Sequence, residues 1–166
     1  MKNSRILITG INGLLGSHLK EYLDQKGYKI LGVSKSSTQS DLNVDLCIKS
    51  DTFEILDSFK PEIIINLAAM TDVDECEKNP HEAYLCNCLI PKNLADWVKE
   101  SGSKAHIIHL STDQVYGTEV LSSKESNVFI SNIYGLSKMA GEHVLNSTPS
   151  TIIRTNFLGK SIVNGR

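Results

Sequence analysis

The chain is poor in the features that mark several protein classes. Among its 166 residues no apolar run approaches the length of about 20 that a membrane-crossing helix needs. The apolar start Ile6-Leu7-Ile8 runs straight into a glycine loop, so it reads as an opening strand rather than as a signal peptide. Neither sign of charge dominates: 17 Lys and Arg against 19 Asp and Glu leave a net charge of -2. There is no basic stripe to attract nucleic acid or an anionic membrane, and no such partner is expected. The four cysteines, Cys47, Cys76, Cys86 and Cys88, contain no C-x-x-C pair and precede no histidine pair of zinc-site spacing. They are expected as reduced, mostly buried thiols of a cytoplasmic protein.

Weaker clusters also favour plain readings. Asp72, Asp74, Glu75 and Glu77 lack the pattern of an oxygen-ligand loop and suit a solvated helix start, where acids are favoured. His18, His106, His109 and His143 have no ligand partner at fixed spacing and are taken as structural, so no metal site is expected. Asn146-Ser147-Thr148 matches a glycosylation sequon but carries little weight without a secretory signal.

What the chain does have is alternation. Apolar, β-rich runs at 5–9, 28–33, 42–46, 62–67, 105–110 and 151–154 read as strands. Helical patterns at 14–25, 52–59, 81–100 and 131–146 lie between them, with a kink or break at Pro91. Such an order implies right-handed crossovers and an α/β domain: a Rossmann-type, doubly wound parallel sheet with helices on both faces. No repeat or linker divides the chain, so residues 1–166 read as one NAD(P)-binding domain. In this architecture ligands sit outside the carboxyl ends of the strands.

The first strand ends in Thr9-Gly10-Ile11-Asn12-Gly13-Leu14-Leu15-Gly16. Glycines at every third position are a weak signal alone, but here they follow a strand and open a helix. Gly10 permits a tight turn, Gly13 lets a pyrophosphate approach bare N–H groups, and Gly16 lets helix and strand pack closely. The helix end adds free N–H groups and partial positive charge for phosphates. Gly10, Asn12, Gly13, Leu14, Leu15 and Gly16 are therefore the expected cofactor loop. No P-loop lysine follows, which excludes an ATPase of that type. The second strand ends in Ser34 and Lys35, where an NAD enzyme usually offers an acid to the ribose 2′-OH. A hydroxyl and a cation suit a 2′-phosphate, so NADP(H) is preferred and NAD(H) stays open. The competing reading makes Lys35 an ordinary solvated lysine. Asp45 and Leu46 either flank the adenine or, for Asp45, cap the next helix.

Tyr134 and Lys138 are four apart in a helical stretch and so share a face. An ammonium beside a phenol is expected to draw its pKa down from about 10, which would suit proton exchange with a carbonyl or alcohol. Thr112, at the end of the fifth strand, could donate a hydrogen bond to the same oxygen.

Together the stretches TGINGLLG (9–16), NLAAMTDVDECEKNP (66–80), AYLCN (83–87), LSTDQVYG (110–117), YGLSKMAGE (134–142) and IIRTNFLG (152–159) resemble the extended, or atypical, short-chain dehydrogenase/reductases. Within that family they are most similar to the dTDP-4-dehydrorhamnose reductase branch. The resemblance implies Tyr134 as proton donor, Lys138 as its partner and a cofactor-ribose ligand, and Thr112 as the third catalytic residue. It also implies that Asn66, Ala68 and Ala69 line the cofactor and that Asn87 supports the site and contributes to cofactor binding. The implied reaction is hydride transfer between a nicotinamide and C4 of a deoxyhexose on a nucleoside diphosphate, with a homodimer left open. The chain departs from the pattern in three ways. Asn66 stands where many extended members have histidine, and Gln114 stands at an often aromatic position. The chain also stops at Arg166, so most of the C-terminal substrate-clasping part is expected to be missing. Two other readings stay in view: a non-catalytic cofactor-binding or regulatory module, like the methionine adenosyltransferase regulatory subunit that resembles this branch, and an epimerase or dehydratase with tightly held NAD.

Overall fold

The computed structural model describes residues 4–36, 40–116 and 124–156. Gly117, residues 157–159 and Arg166, all within the stretches given above, lie outside them. Six strands form one all-parallel sheet: β1 (Arg5–Thr9), β2 (Lys29–Ser34), β3 (Leu42–Asn43), β4 (Ile63–Asn66), β5 (His106–Thr112) and β6 (Ser150–Thr155). Their spatial order is β3-β2-β1-β4-β5-β6. The order reverses between β1 and β4, which pair from Ile6 with Ile63 to Thr9 with Asn66. That divergence opens a crevice at the carboxyl edge of the sheet.

The strands are nearly continuous in Ile, Leu and Val because both faces of the central sheet are covered. On one face, Leu7, Ile64 and Ile107 pack with Leu56, Leu94, Trp97 and Leu145. These come from helices α2 (Lys49–Phe59), α5 (Ile90–Glu100) and α6 (Ile133–Leu145). On the other, Ile6, Ile8 and Ile65 meet Leu19 and Leu23 of α1 (Leu14–Gln25).

Boundaries differ from the sequence reading where backbone turns outrank apolar pattern. β3 stops at Asn43, because Val44–Ile48 turn away: Ile48 N–H donates to Asp45 O (2.9 Å) and Cys47 N–H to Asp45 Oδ1 (3.1 Å). Helix α2 starts earlier than expected, its N-cap is Ile48, and Asp45 therefore caps this turn and not the helix. The acidic cluster is a helix start as expected, since Asp72 Oδ1 caps α3 (Val73–Lys78) by accepting from Glu75 N–H at 2.9 Å. The long helix expected over 81–100 is three pieces: α4 (Pro80–Tyr84), a wide π-type turn at Leu85–Leu89, and α5. Pro91 has no N–H to return to the Asn87 carbonyl, and the chain widens just before it, with Ile90 N–H donating to Leu85 O.

Candidate active site

Two clefts at the carboxyl edge meet at Gly10, Gly13, Leu67 and Ala69 and form one groove across the switch point. The first, about 310 Å³, lies between β2, the turn after β3 and the end of β4, and is lined by Ser34, Lys35, Asp45, Leu46 and Ala68 among others. The second, about 420 Å³, runs from Leu14, Leu15 and Gly16 past Ser111 and Thr112 to Tyr134 and Lys138. Another cavity of about 420 Å³ opens at the opposite edge of the sheet. Two of its polar pairs are internal to the wall: Trp97 Nε1 donates to Asp57 Oδ1 (2.8 Å) and Arg5 Nε to Lys60 O (2.7 Å). Volume does not separate the two edges; the glycine loop and the strand reversal lie at the carboxyl one.

The junction is bare backbone. Gly10 has φ +66°, and a Cβ there would stand 2.8 Å from Ala68 N, so only glycine makes this turn. A Cβ on Gly16 would stand 2.6 Å from Gly10 O, which requires glycine for the close packing of α1 on the loop. A Cβ added to Gly13, the N-cap of α1, would meet only Gly10 O, at 3.3 Å, and otherwise point into open space. No acidic side chain occupies the first turn of α1. Its N–H groups and dipole are thus available to an anion. Asn12, expected in the cofactor loop, does not line the groove, and its buried Oδ1 has no partner among the described residues. The bare glycine backbone beside a free helix N-terminus fits a dinucleotide.

At the β2 end, Lys35 is not free. Its Nζ pairs with Asp45 Oδ2 at 2.9 Å. The hydrogen bond with Lys35 holds the Asp45 carboxyl below the usual carboxylate range against a burial effect that raises it. Ser34, Lys35, Asp45 and Leu46 do converge on one cleft. Sequence reasoning missed Cys47 and Cys86, which also line it; burial pushes the Cys47 thiol up to about 12. All four cysteines are free, with Cys76 and Cys88 buried and Cys47 and Cys86 half-buried.

Asn66, expected to line the cofactor, lies behind the wall instead, and Asn87, expected to support the site, does so from behind it. Asn66 is 1% exposed, with Oδ1 accepting from Thr9 Oγ1 (2.6 Å) and Nδ2 bonded to His109 Nδ1 (2.9 Å). Thr9 Oγ1 in turn accepts from Leu67 and Ala68 N–H at 3.1 and 3.0 Å. The three residues share neighbouring positions on β1, β4 and β5, so sheet register turns their side chains inward. They hold the β4 turn that forms the groove floor. Asn87 clasps the next residues: its Oδ1 accepts from Met70 N–H, and its Nδ2 donates to Met70 O and Ser137 Oγ, all at 2.9 Å. Ala68 and Ala69 do line the groove.

Thr112, Tyr134 and Lys138 come together on the wall of the second cleft. Asn132 caps α6 by accepting from Gly135 N–H at 2.6 Å, which starts the helix just before Tyr134. The electrostatics differ from expectation. Burial dominates at Tyr134 and raises its pKa, while a hydrogen bond with Thr112 works the other way. Lys138 Nζ donates to Leu110 O at 2.6 Å, and burial lowers its pKa to about 8. Thr155 and Asn156, at the carboxyl end of β6, also line this cleft. The edge rule applied to the fifth strand would have found them in the sixth.

A glycine loop, a sheet that reverses beside it and a Thr–Tyr–Lys wall share one groove at the carboxyl edge, the arrangement of a Rossmann-type α/β domain. A family model described as "RmlD substrate binding domain" matches residues 4–162, and the chain belongs to that family. It is 37% identical over 159 residues to dTDP-4-dehydrorhamnose reductase of Aggregatibacter actinomycetemcomitans, covering 93% of this chain and 51% of that protein. It is 30% identical to methionine adenosyltransferase 2 subunit beta of Xenopus tropicalis, covering 93% of this chain and 47% of the relative. The crystal structure of dTDP-4-dehydrorhamnose reductase from Bacillus anthracis in complex with NADP superposes with TM-score 0.81 at 32% identity, covering 93% of this chain and 54% of that one. The chain thus spans about half the length of these relatives.

Proposed function

We propose that this chain is the cofactor-binding and catalytic part of an NADP(H)-dependent reductase acting on a 4-keto-deoxyhexose carried by a nucleoside diphosphate. The carrying observation is the convergence of Thr112, Tyr134 and Lys138 on a groove continuous with the glycine loop. NADPH, when bound, supplies a hydride to the sugar's C4. Gly10, Gly13 and Gly16 and the α1 N–H groups bind the pyrophosphate, and Ser34 and Lys35 face the adenosine ribose. Tyr134 Oη gives its proton to the carbonyl oxygen as that oxygen becomes an alcohol, and Thr112 orients the same oxygen. Lys138 stabilises the phenolate left behind and binds the nicotinamide ribose. The NADP-bound Bacillus anthracis structure supports the cofactor.

Substrate recognition by a further C-terminal part is proposed on the same footing, since the relatives are about twice as long. So are a homodimer and a cytoplasmic location. Among the described residues no helix is long and apolar enough to cross a membrane. The likeness to methionine adenosyltransferase 2 subunit beta favours a second reading, a regulatory cofactor-binding module.

NADPH oxidation with a 4-keto nucleotide-sugar, measured on this chain and on any longer product of the same reading frame, separates the two readings. Tyr134→Phe is expected to abolish turnover and to leave NADPH affinity within about twofold, because it removes the hydroxyl that gives the proton and, of the cofactor contacts, only the one Tyr134 itself makes. Retained turnover in that variant would defeat the catalytic assignment.

A further inference from the structure

Tyr134, Lys138 and Glu142 follow one another at four-residue intervals and are all buried, at 8%, 2% and 4% exposure. A carboxylate in such a place needs strong partners to offset its desolvation, and a well-packed apolar residue would often be as stable. Glu142 has those partners. Arg154 of β6 grips it with Nε at 2.9 and 3.1 Å from its two oxygens and Nη2 at 2.6 Å. Ser111 Oγ of β5 donates to its Oε1. One turn earlier, Lys138 Nζ donates to Leu110 O at 2.6 Å. Two polar links, adjacent on β5 and one turn apart on α6, therefore set how far the helix slides along the strand. Thr112 is the next residue on that strand, and Tyr134 is the next turn of that helix.

We propose that Glu142 is a positioning residue of this site, which fixes the charge of Lys138 and locks α6 against β5 so that Tyr134 and Thr112 stay in reach of one oxygen. The proposal deepens the reductase reading, and rests on it for the purpose of the lock. The groups facing Lys138 are few. On its own helix they are Glu142 and Tyr134. From β5 comes His109, which burial holds neutral with a pKa near 3. Arg154 of β6 faces Glu142 and moderates it. Burial lowers Lys138 and the Glu142 carboxylate opposes that effect. Arg154 also donates from Nη1 to Tyr116 Oη (2.9 Å) and Glu125 O (2.8 Å), tying the segment after β5 to the same anion.

The test is a pH titration of the Lys138 side chain by lysine-labelled carbon NMR, on the full chain without cofactor or sugar. Glu142→Gln keeps an acceptor for Ser111 and removes the charge. Its Lys138 midpoint should fall by about one pH unit. The double variant Glu142→Gln/Arg154→Met, which removes both charges and restores balance, should show a smaller fall and carries the test if the single variant does not fold. A midpoint unmoved in Glu142→Gln, or in the double variant where that alone folds, overturns the proposal. The readout needs no turnover, so its failure is distinct from failure of the reductase reading. A Glu142 whose charge does not reach Lys138 would change unfolding but leave this midpoint in place.

Discussion

Replacing Gly141 by alanine tests whether the packing of α6 on the π-type turn is as tight as the structure makes it. Two effects oppose each other. Alanine is the better helix former by about 1 kcal/mol, so an open site would gain stability. Here, however, the added Cβ would lie 2.2 Å from Asn87 O and 3.4 Å from Pro91 Cγ. Reaching an ordinary contact of about 3.5 Å means moving the two backbones apart by about 1 Å, since both sides of the contact are helical. Overpacking of that kind costs about 1–3 kcal/mol. The same movement strains the buried hydrogen bond from Asn87 Nδ2 to Ser137 Oγ, one turn away, which adds about 1 kcal/mol. The clash wins, and a net loss of about 2 kcal/mol is expected. Urea unfolding of the parent and Gly141→Ala checks it. Gly27→Ala serves as control: φ there is +81° with nothing within 4 Å, so it pays only left-handed strain of about 1 kcal/mol. A Gly141→Ala protein as stable as the parent would refute the reasoning.

Three further outcomes follow from particular contacts. If Lys35 serves the 2′-phosphate as proposed, Lys35→Ala should weaken NADPH about tenfold and leave NADH nearly unchanged; equal effects in titrations of both cofactors would reduce Lys35 to a partner of Asp45. Thr9→Val removes the donor to Asn66 and the acceptor for Leu67 and Ala68 N–H, and should cost about 2–3 kcal/mol in urea unfolding. His109, neutral in the fold with a pKa near 3, takes up a proton on unfolding below about 6.5. The unfolded chain binds more protons in that window, so stability falls as pH drops from about 6.5 toward 3, by up to about 1.4 kcal/mol per pH unit from this group. His109→Gln should flatten the decline in urea midpoint between pH 7 and pH 5, and an unchanged slope would rule the histidine out as its source.

The glycine loop, the alternation of strands and helices along the chain and the shared helical face of Tyr134 and Lys138 were legible in sequence because each depends on local chemistry. Gly10 needs positive φ, Gly16 needs the absence of a Cβ, and a four-residue spacing puts Tyr134 and Lys138 on one helical face. Apolar periodicity likewise places strands wherever both faces are buried. Boundaries such as the early end of β3 and the break at Leu85–Leu89 were harder, since they depend on where carbonyls find donors rather than on which residues are apolar.

Tertiary structure alone decided which side chains face the groove and what each one is worth. The family resemblance implied Asn66 as a residue lining the cofactor and Asn87 as a support of the site that contributes to cofactor binding. Register between β1, β4 and β5 turns Asn66 inward to Thr9 and His109, and the π-type turn points Asn87 at Met70 and Ser137. Lys35 meets Asp45 only because β2 and the turn after β3 converge. Glu142 gains its place from Arg154 and Ser111, twelve residues later and thirty-one earlier in the chain. Local conformation follows from a residue and its near neighbours. Charge states and contacts depend on burial and on partners distant in sequence, and those exist only once the sheet has assembled.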